Sequence, residues 1–166
     1  MRRLGAVLCV IGMLMLYSCA PPAASPVTTD FTCRFTAEYD GLSIDGTIER
    51  TAEKTLTVTF DHPDTLSGVT LILDGEQVRM RVFGIETALP QSYLPQRAFG
   101  TVINSALDDA VKKAASGDVK ENHFTLSGTA EGYAYTLRCD AKSGLPLQLE
   151  VPELPLSVTF TDFPSP

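Results

Sequence analysis

The sequence contains no tryptophan, two histidines, and 13 basic residues against 20 acidic ones. The net charge of −7 disfavours a nucleic-acid ligand, because binding to phosphates requires the opposite sign. Neither histidine has a cysteine, a glutamate or the other histidine at ligand spacing, so we predict no metal site. The chain also lacks a G-x-S-x-G motif, and we find no other catalytic constellation. We therefore predict no enzyme activity, no catalytic residues and no cofactor.

The apolar run at the N-terminus, Leu4–Leu16, is too short for a transmembrane helix. Such a helix needs about twenty apolar residues to cross roughly 30 Å of hydrocarbon. The basic segment Met1–Arg3 precedes the run, and prolines follow it at positions 21 and 22. This pattern predicts a signal peptide over residues 1–18.

The segment Leu16, Tyr17, Ser18 and Cys19 resembles the lipobox of bacterial lipoproteins. The resemblance implies cleavage before Cys19 and a covalent diacylglycerol or acyl lipid on its thiol. The alternative is an ordinary signal peptide that is cut elsewhere, with an incidental cysteine. Residues 19–30 are rich in Pro, Ala, Ser and Thr, which predicts a flexible tether. We thus expect a protein held at the extracytoplasmic face of the cell membrane by its lipid anchor.

The remaining residues, 31–163, are predicted to form one mainly β domain. With 44% apolar and 20% charged residues, the chain can bury a core of its own. Apolar and polar residues alternate with period two in about nine short segments, which is typical of half-buried strands. Short turns, among them Asp40-Gly41 and Asp74-Gly75, favour antiparallel pairing. The predicted strands lie near residues 31–39, 42–49, 56–61, 69–73, 78–82, 124–126, 133–139, 147–151 and 156–160.

One segment has a helical period instead. Between Ala98 and Ser116 apolar residues recur every three or four positions, which predicts a single principal helix with one apolar stripe. Asp108 and Asp109 are expected on its solvent side. The segment Leu89–Pro95 is predicted to be a connector that crosses the mouth of the sheet.

These elements predict an α+β fold in which a curved antiparallel sheet carries the helix on its concave face. The helix stripe is narrow and made of mostly small side chains, so it cannot cover all the inward apolar strand residues. Either the sheet closes on itself or an apolar cavity is left. Taken one at a time, inward apolar side chains are more often packed core than ligand contacts, and only their excess over the helix argues for a cavity. The residues expected to line such a cavity are Phe35, Tyr39, Ile44, Val58, Leu71, Met80, Phe99, Ile103, Leu107, Tyr135 and Leu137.

In this arrangement the sequence resembles the LolA/LolB and LppX group of envelope lipid and lipoprotein carriers. The likeness rests on the hairpin Val69–Met80, the segment Leu89–Ser116, the turn at residues 143–146 and the last strand, Leu156–Phe163. The resemblance implies a β half-barrel whose concave face holds acyl chains and whose helices act as a lid. No ligand-contacting residue of the group is matched to a position in this chain.

Two cysteines fall inside the predicted domain, Cys33 and Cys139, each on the inward face of its strand. Outside the cytoplasm they can form a disulfide, which would stabilise the fold by on the order of 3–4 kcal/mol. The alternative is a pair of buried, reduced thiols.

Two functions are open at this point. In the first, the anchored domain binds a lipid, an acyl chain or a lipopeptide in its apolar trough. In the second, a fully packed domain is an interaction module that recruits another envelope protein through an exposed edge or loop, with Tyr93 and Leu94 as candidate contacts.

Overall fold

The structure is a computed structural model that describes residues 27–113, 118–120 and 122–164. Within them the chain forms eleven strands and one α-helix, which confirms the predicted mainly β fold with a single principal helix. The strands are β1 (Phe31–Tyr39), β2 (Leu42–Arg50), β3 (Leu56–His62), β4 (Thr70–Leu73), β5 (Gln77–Val82), β6 (Ile85–Pro90), β7 (Asp118–Lys120), β8 (His123–Ala130), β9 (Tyr133–Asp140), β10 (Pro146–Val151) and β11 (Leu156–Thr161). The helix α1 spans Phe99–Lys113, and a 3-10 turn, Gln91–Tyr93, precedes it.

All strands belong to one antiparallel sheet with the order β6-β5-β4-β3-β2-β1-β11-β10-β9-β8-β7. Strands β1 to β6 run outward from the centre as one meander, and β7 to β11 return to the centre as another. The two meanders meet where β1 pairs with β11, from Arg34 opposite Thr161 to Tyr39 opposite Leu156. Among the described residues, strands β6 and β7 are therefore the two edges, and the sheet that these residues form is open rather than closed into a barrel.

The sheet contains all nine predicted strands and two more, β6 and β7. Strand β6 follows a two-residue turn, Phe83-Gly84, in which both residues have positive φ angles of 49° and 81°. Two consecutive positive φ angles are typical of a type I′ hairpin, whose twist matches that of the flanking strands. The predicted connector Leu89–Pro95 thus begins as the end of a strand and continues as the 3-10 turn.

Helix α1 lies on the concave face and packs against β3, β4, β8 and β9. Most of its apolar stripe is buried: Val102, Ile103 and Ala106 have no exposed surface, whereas Val111 in the last turn is 41% exposed. Lys112 and Lys113 lie in the last turn, where positive charge interacts favourably with the helix dipole. Aromatic rings anchor the first turn: the ring centroid of Phe99 lies 5.7 Å from that of Phe35 and 6.1 Å from that of Phe60.

Residues 27–30, which the sequence assigns to the tether, lie against the domain. Val27 is 6% exposed and belongs to the core. The backbone N–H of Thr28 donates to the carbonyl of Gly144 at 2.9 Å. The predicted signal peptide and Cys19 lie outside the described residues. Among the helices of the described part, none is long and apolar enough to cross a membrane.

Candidate functional site

Most of the predicted ligand-lining residues lie in the packed core. Eight of them are at most 9% exposed and contact one another and their neighbours beneath α1: Phe35, Ile44, Val58, Phe99, Ile103, Leu107, Tyr135 and Leu137. Tyr39 and Leu71 are partly buried against this core, and Met80 is 40% exposed. The structure therefore places Met80 outside the core, at the side of the sheet that the helix leaves open, and Leu71 at the boundary between that side and the core.

This open side is an apolar strip on the concave face of β4, β5 and β6. Val58, which is buried, pairs with Leu71, and Leu71 pairs with Met80, so all three point to the same face. Met80 is 40%, Ile85 75% and Leu89 46% exposed. The strip continues the core face beyond the reach of α1, and we define it by Leu71, Met80, Val82, Ile85 and Leu89.

The excess of inward apolar surface that the sequence indicates is thus present, as an exposed strip at one edge of the sheet. The opposite, convex face of β5 and β6 is charged: Arg81 pairs with Glu86 at 2.9 Å, and Arg79 lies 4.0 Å from the same carboxylate. At the tip of the hairpin Phe83 is 90% exposed and has a positive φ of 49°. Such a φ is unfavourable for a bulky side chain. The hairpin therefore presents an aromatic side chain and an apolar face to solvent, which is a typical composition for a binding surface.

A separate, polar cavity of about 350 Å³ lies beside the first turns of α1. One wall comes from the segment between β6 and α1, which is held in place where the Gln91 N–H donates to the Glu76 carbonyl at 2.9 Å. The other wall comes from α1 and the β8–β9 turn. The cavity is lined by Gly75, Gln91, Ser92, Leu94, Gln96, Thr101 and Glu131. None of these residues is among the predicted ligand-lining set, because that set contains only inward apolar positions of the strands and the helix, whereas most of the cavity residues are polar or lie in the connector and in turns.

No protein-family model matches the sequence, and no curated protein is significantly similar to it. Solved structures do resemble the fold. An uncharacterized conserved protein from Thermus thermophilus is 14% identical, with 82% of this chain and 80% of that chain covered and a TM-score of 0.48. A LolA superfamily protein from Nitrosomonas europaea, NE2245, is 7% identical, with 83% and 87% covered and a TM-score of 0.40.

MucB is 20% identical to this chain, with 86% of this chain and 55% of MucB covered and a TM-score of 0.40. MucB has also been solved in complex with MucA(peri). The solved structures that resemble the fold thus include a LolA superfamily protein, a member of the group that the sequence resembles. At these identities and scores the likeness concerns the fold alone, and it assigns no function.

A buried ion pair joins β2 to α1. Arg50 is 1% exposed, and its Nη2 pairs with Asp108 Oδ1. Its Nε donates to Asn104 Oδ1 and its Nη1 to the Thr29 carbonyl, both at 3.2 Å. Burial lowers the pKa of Arg50, and the charge of Asp108 opposes that shift. The cluster is structural, because it connects the N-terminal segment, the sheet and the helix.

The expectation that Asp108 and Asp109 form a solvated charged face of the helix is wrong. Asp108 pairs with Arg50, as described, and Asp109 Oδ2 accepts hydrogen bonds from Tyr135 Oη at 2.9 Å and Lys113 Nζ at 2.6 Å. Both carboxylates are partly buried, at 29% and 24% side-chain exposure. The two carboxylates hold the helix on the sheet, because Arg50 lies on β2 and Tyr135 lies on β9.

The two histidines lie on different strands. His62, on β3, pairs through Nδ1 with Asp45 at 3.0 Å, and this hydrogen bond raises the pKa of the imidazole. His123 begins β8. Within residues 27–113, 118–120 and 122–164, no group of three or more His, Cys, Asp or Glu is arranged to hold a metal ion.

The predicted disulfide between Cys33 and Cys139 is not formed in the structure. Both thiols are free and buried, at 1% and 0% exposure. Their strands, β1 and β9, are separated in the sheet by β11 and β10. Three strand spacings amount to roughly 14 Å along the sheet, whereas a disulfide needs Cα atoms within about 7 Å. Burial raises the pKa of each thiol to about 12.

We expect Cys33 and Cys139 to be unreactive in the folded protein at mildly alkaline pH. The reactive species is the thiolate, and burial disfavours it, so alkylation of both residues is expected to be at least about a hundredfold slower than in urea. Peptide mass spectrometry after timed labelling with iodoacetamide measures each cysteine separately. Rapid labelling of either thiol in the folded protein, or a disulfide-linked peptide containing both, would contradict this expectation.

Proposed function

We propose that the chain is a lipoprotein anchored through Cys19 at the extracytoplasmic face of a membrane, and that its domain is a non-enzymatic binding module. The proposed ligand is a lipid, an acyl chain or a lipopeptide that lies on the apolar strip. The observation that carries the proposal is the exposure of Met80, Ile85 and Leu89 on the face of the sheet that forms the core farther from the edge, with Thr87 opposite Met80 as a polar neighbour. Apolar surface of this kind is stabilised when a ligand covers it.

An acyl chain suits the shape and chemistry of the strip. The strip crosses three strands at spacings of about 4.8 Å, so it offers an elongated apolar contact rather than a compact pocket. Each methylene group that leaves water contributes about 0.8 kcal/mol, so partial cover of a long chain gives measurable affinity. An anchor at Cys19 would hold the strip near a bilayer, where such chains are abundant.

The double variant Met80→Ser and Ile85→Ser tests the proposal. Each substitution removes apolar contact area and retains strand geometry, so the affinity for a fluorescent fatty acid is expected to fall about tenfold. The measurement is a fluorescence titration of the full-length protein in detergent micelles, together with native mass spectrometry for co-purified lipid.

Leu42→Ser is the matched control, because Leu42 is 44% exposed and lies on β2, away from the strip. Its affinity for the fatty acid is expected to equal that of the unmodified protein. Saturable binding that the double variant retains in full would rule out the strip as the site. Absence of any binding by the unmodified protein would rule out an acyl ligand.

A second candidate function is recruitment of another envelope protein by strand addition at β6. Strand β6 is an edge, and all six of its residues are exposed. The two-residue turn places Val82 and Ile85 as its closing pair, so the Ala88 N–H points away from β5. An exposed edge of this kind can accept a strand from a partner.

Ala88→Pro distinguishes the two functions. Proline removes the outward N–H of the edge and leaves the apolar strip unchanged, so strand addition is expected to fail while fatty-acid binding persists. In-cell crosslinking reports the partner, with Ala88→Ser as a control that retains the N–H. The substitutions Tyr93→Asp and Leu94→Asp test the adjoining connector in the same way. If the crosslinks are unchanged in the Ala88→Pro, Tyr93→Asp and Leu94→Asp proteins, this surface is not the binding site of the partner.

A further inference from the structure

Two of the residues that line the polar cavity beside α1 carry a buried oxygen without a hydrogen-bond partner. In the described part of the chain, Thr101 Oγ1 and Gln91 Oε1 are both buried and unpaired, and both residues line the cavity. Thr101 as a whole is 6% exposed. A buried polar atom without a partner is costly, and it is commonly satisfied by a bound water or ligand. Two residues that line one cavity thus carry polar atoms with which a bound polar ligand can pair once the side chains turn toward it.

The charge of the lining restricts the guest. Glu131 is the one charged residue among those that line the cavity, and its carboxylate accepts a hydrogen bond from Ser105 Oγ. Within residues 27–113, 118–120 and 122–164, Glu131 takes part in none of the ion pairs. An anionic guest is disfavoured beside this carboxylate, and a cationic one is favoured.

The other polar residues that line the cavity can form hydrogen bonds with hydroxyl groups of a bound molecule. Gln91 and Gln96 provide amides, and Ser92 and Thr101 provide hydroxyls. A threonine in a helix populates two side-chain rotamers, so the Thr101 hydroxyl can turn toward a guest without a change in the backbone. Guest hydroxyls donate and accept, and they therefore pair with either orientation of a glutamine amide.

We propose that this cavity is a binding site for a small hydroxylated primary amine, such as an amino sugar. The protonated amine pairs with Glu131, and hydroxyl groups of the guest bond to Gln91 and Thr101. The volume of about 350 Å³ lies within the range of about 300–1,000 Å³ that is usual for small-molecule sites. The site is separate from the apolar strip and does not depend on the function proposed for it.

Glucosamine, N-acetylglucosamine and glucose test the proposal as a matched set, because they share a ring and differ at one substituent. Isothermal titration calorimetry of the full-length protein in detergent micelles is carried out at mildly acidic pH, where the amine of glucosamine is protonated. Glucosamine is expected to bind saturably. The two neutral sugars are expected to bind at least about tenfold more weakly, because they lack the charged donor.

Two near-isosteric variants locate the site. Glu131→Gln removes the charge and Thr101→Val removes the hydroxyl, and each is expected to weaken glucosamine binding by about tenfold. Glu49→Gln and Thr57→Val, on strands away from the cavity, are the controls, and circular dichroism confirms that all four variants fold. No saturable binding, equal binding of glucosamine and glucose, or unchanged affinity in both cavity variants would each overturn the proposal. The comparison of the three sugars holds even if a variant fails to fold.

Discussion

Replacing Arg50 by methionine is expected to lower the free energy of unfolding by about 3–4 kcal/mol. The guanidinium is 1% exposed and has three partners, Asp108, Asn104 and the carbonyl of Thr29. Methionine fills part of the volume but leaves these groups without a donor. Asn104 is 8% exposed, so its side-chain oxygen would lose a partner that solvent replaces poorly.

Urea denaturation measures this effect, and Arg34→Met is the matched control. Arg34 also pairs with a carboxylate, Asp61 at 3.0 Å, but it is 51% exposed. An exposed ion pair contributes about 0–1 kcal/mol, so the control is expected to change stability by no more than that. Equal losses in the two variants would show that the Arg50 cluster does not hold α1 on the sheet.

Asp108→Asn provides a second measurement of the same cluster. It leaves the buried Arg50 without its charged partner, so a loss of about 3 kcal/mol is expected. The double variant with Arg50→Met is expected to lose less than the sum of the two single variants, because the first substitution already removes the pair. Additive losses would mean that the two residues act independently.

Replacing Gly46 by alanine is the second change with a large expected effect, a loss of about 3 kcal/mol or more. A Cβ at this position would lie 2.0 Å from the Thr59 carbonyl oxygen, which belongs to the backbone of β3. Strands β2 and β3 would have to separate at a point where their register already shifts, between Asp45 and Gly46.

The same glycine allows an aromatic contact across β2. Gly46 lies between Phe35 and Phe60 in the register, and the centroids of these two rings are 6.4 Å apart over it. Thermal unfolding followed by circular dichroism checks the prediction, with Thr47→Ala on the opposite face of β2 as the control. A Gly46→Ala protein as stable as that control would show that the sheet accommodates the methyl group by a small shift.

Several parts of the fold could be predicted from local sequence. Nine strands follow from alternation, because a strand with one buried side places every second residue in the core. The turns at Asp40-Gly41 and Asp74-Gly75 follow from residues that tolerate positive φ, and three of these four residues, Asp40, Gly41 and Gly75, have it. The helix follows from its apolar stripe, most of which is buried against the sheet.

Strand β6 and the polar cavity could not be predicted in this way. The β5–β6 hairpin turns at Phe83-Gly84, where a bulky aromatic residue occupies a position that usually favours Asn, Asp or Gly. The cavity combines a connector, a helix and a distant turn, and only the folded chain brings Gln91, Thr101 and Glu131 together. Within its own segment, each of these residues is an ordinary polar side chain.

By itself the sequence determined which residues face inward, where most turns lie and that one helix covers the concave face, because these features depend on contacts between near neighbours. The tertiary structure decided where the excess apolar surface lies, because that depends on where α1 crosses the sheet. It also decided that Arg50 meets Asp108 and that Cys33 and Cys139 lie apart. These outcomes depend on the strand order, which is set by the long-range pairing of β1 with β11.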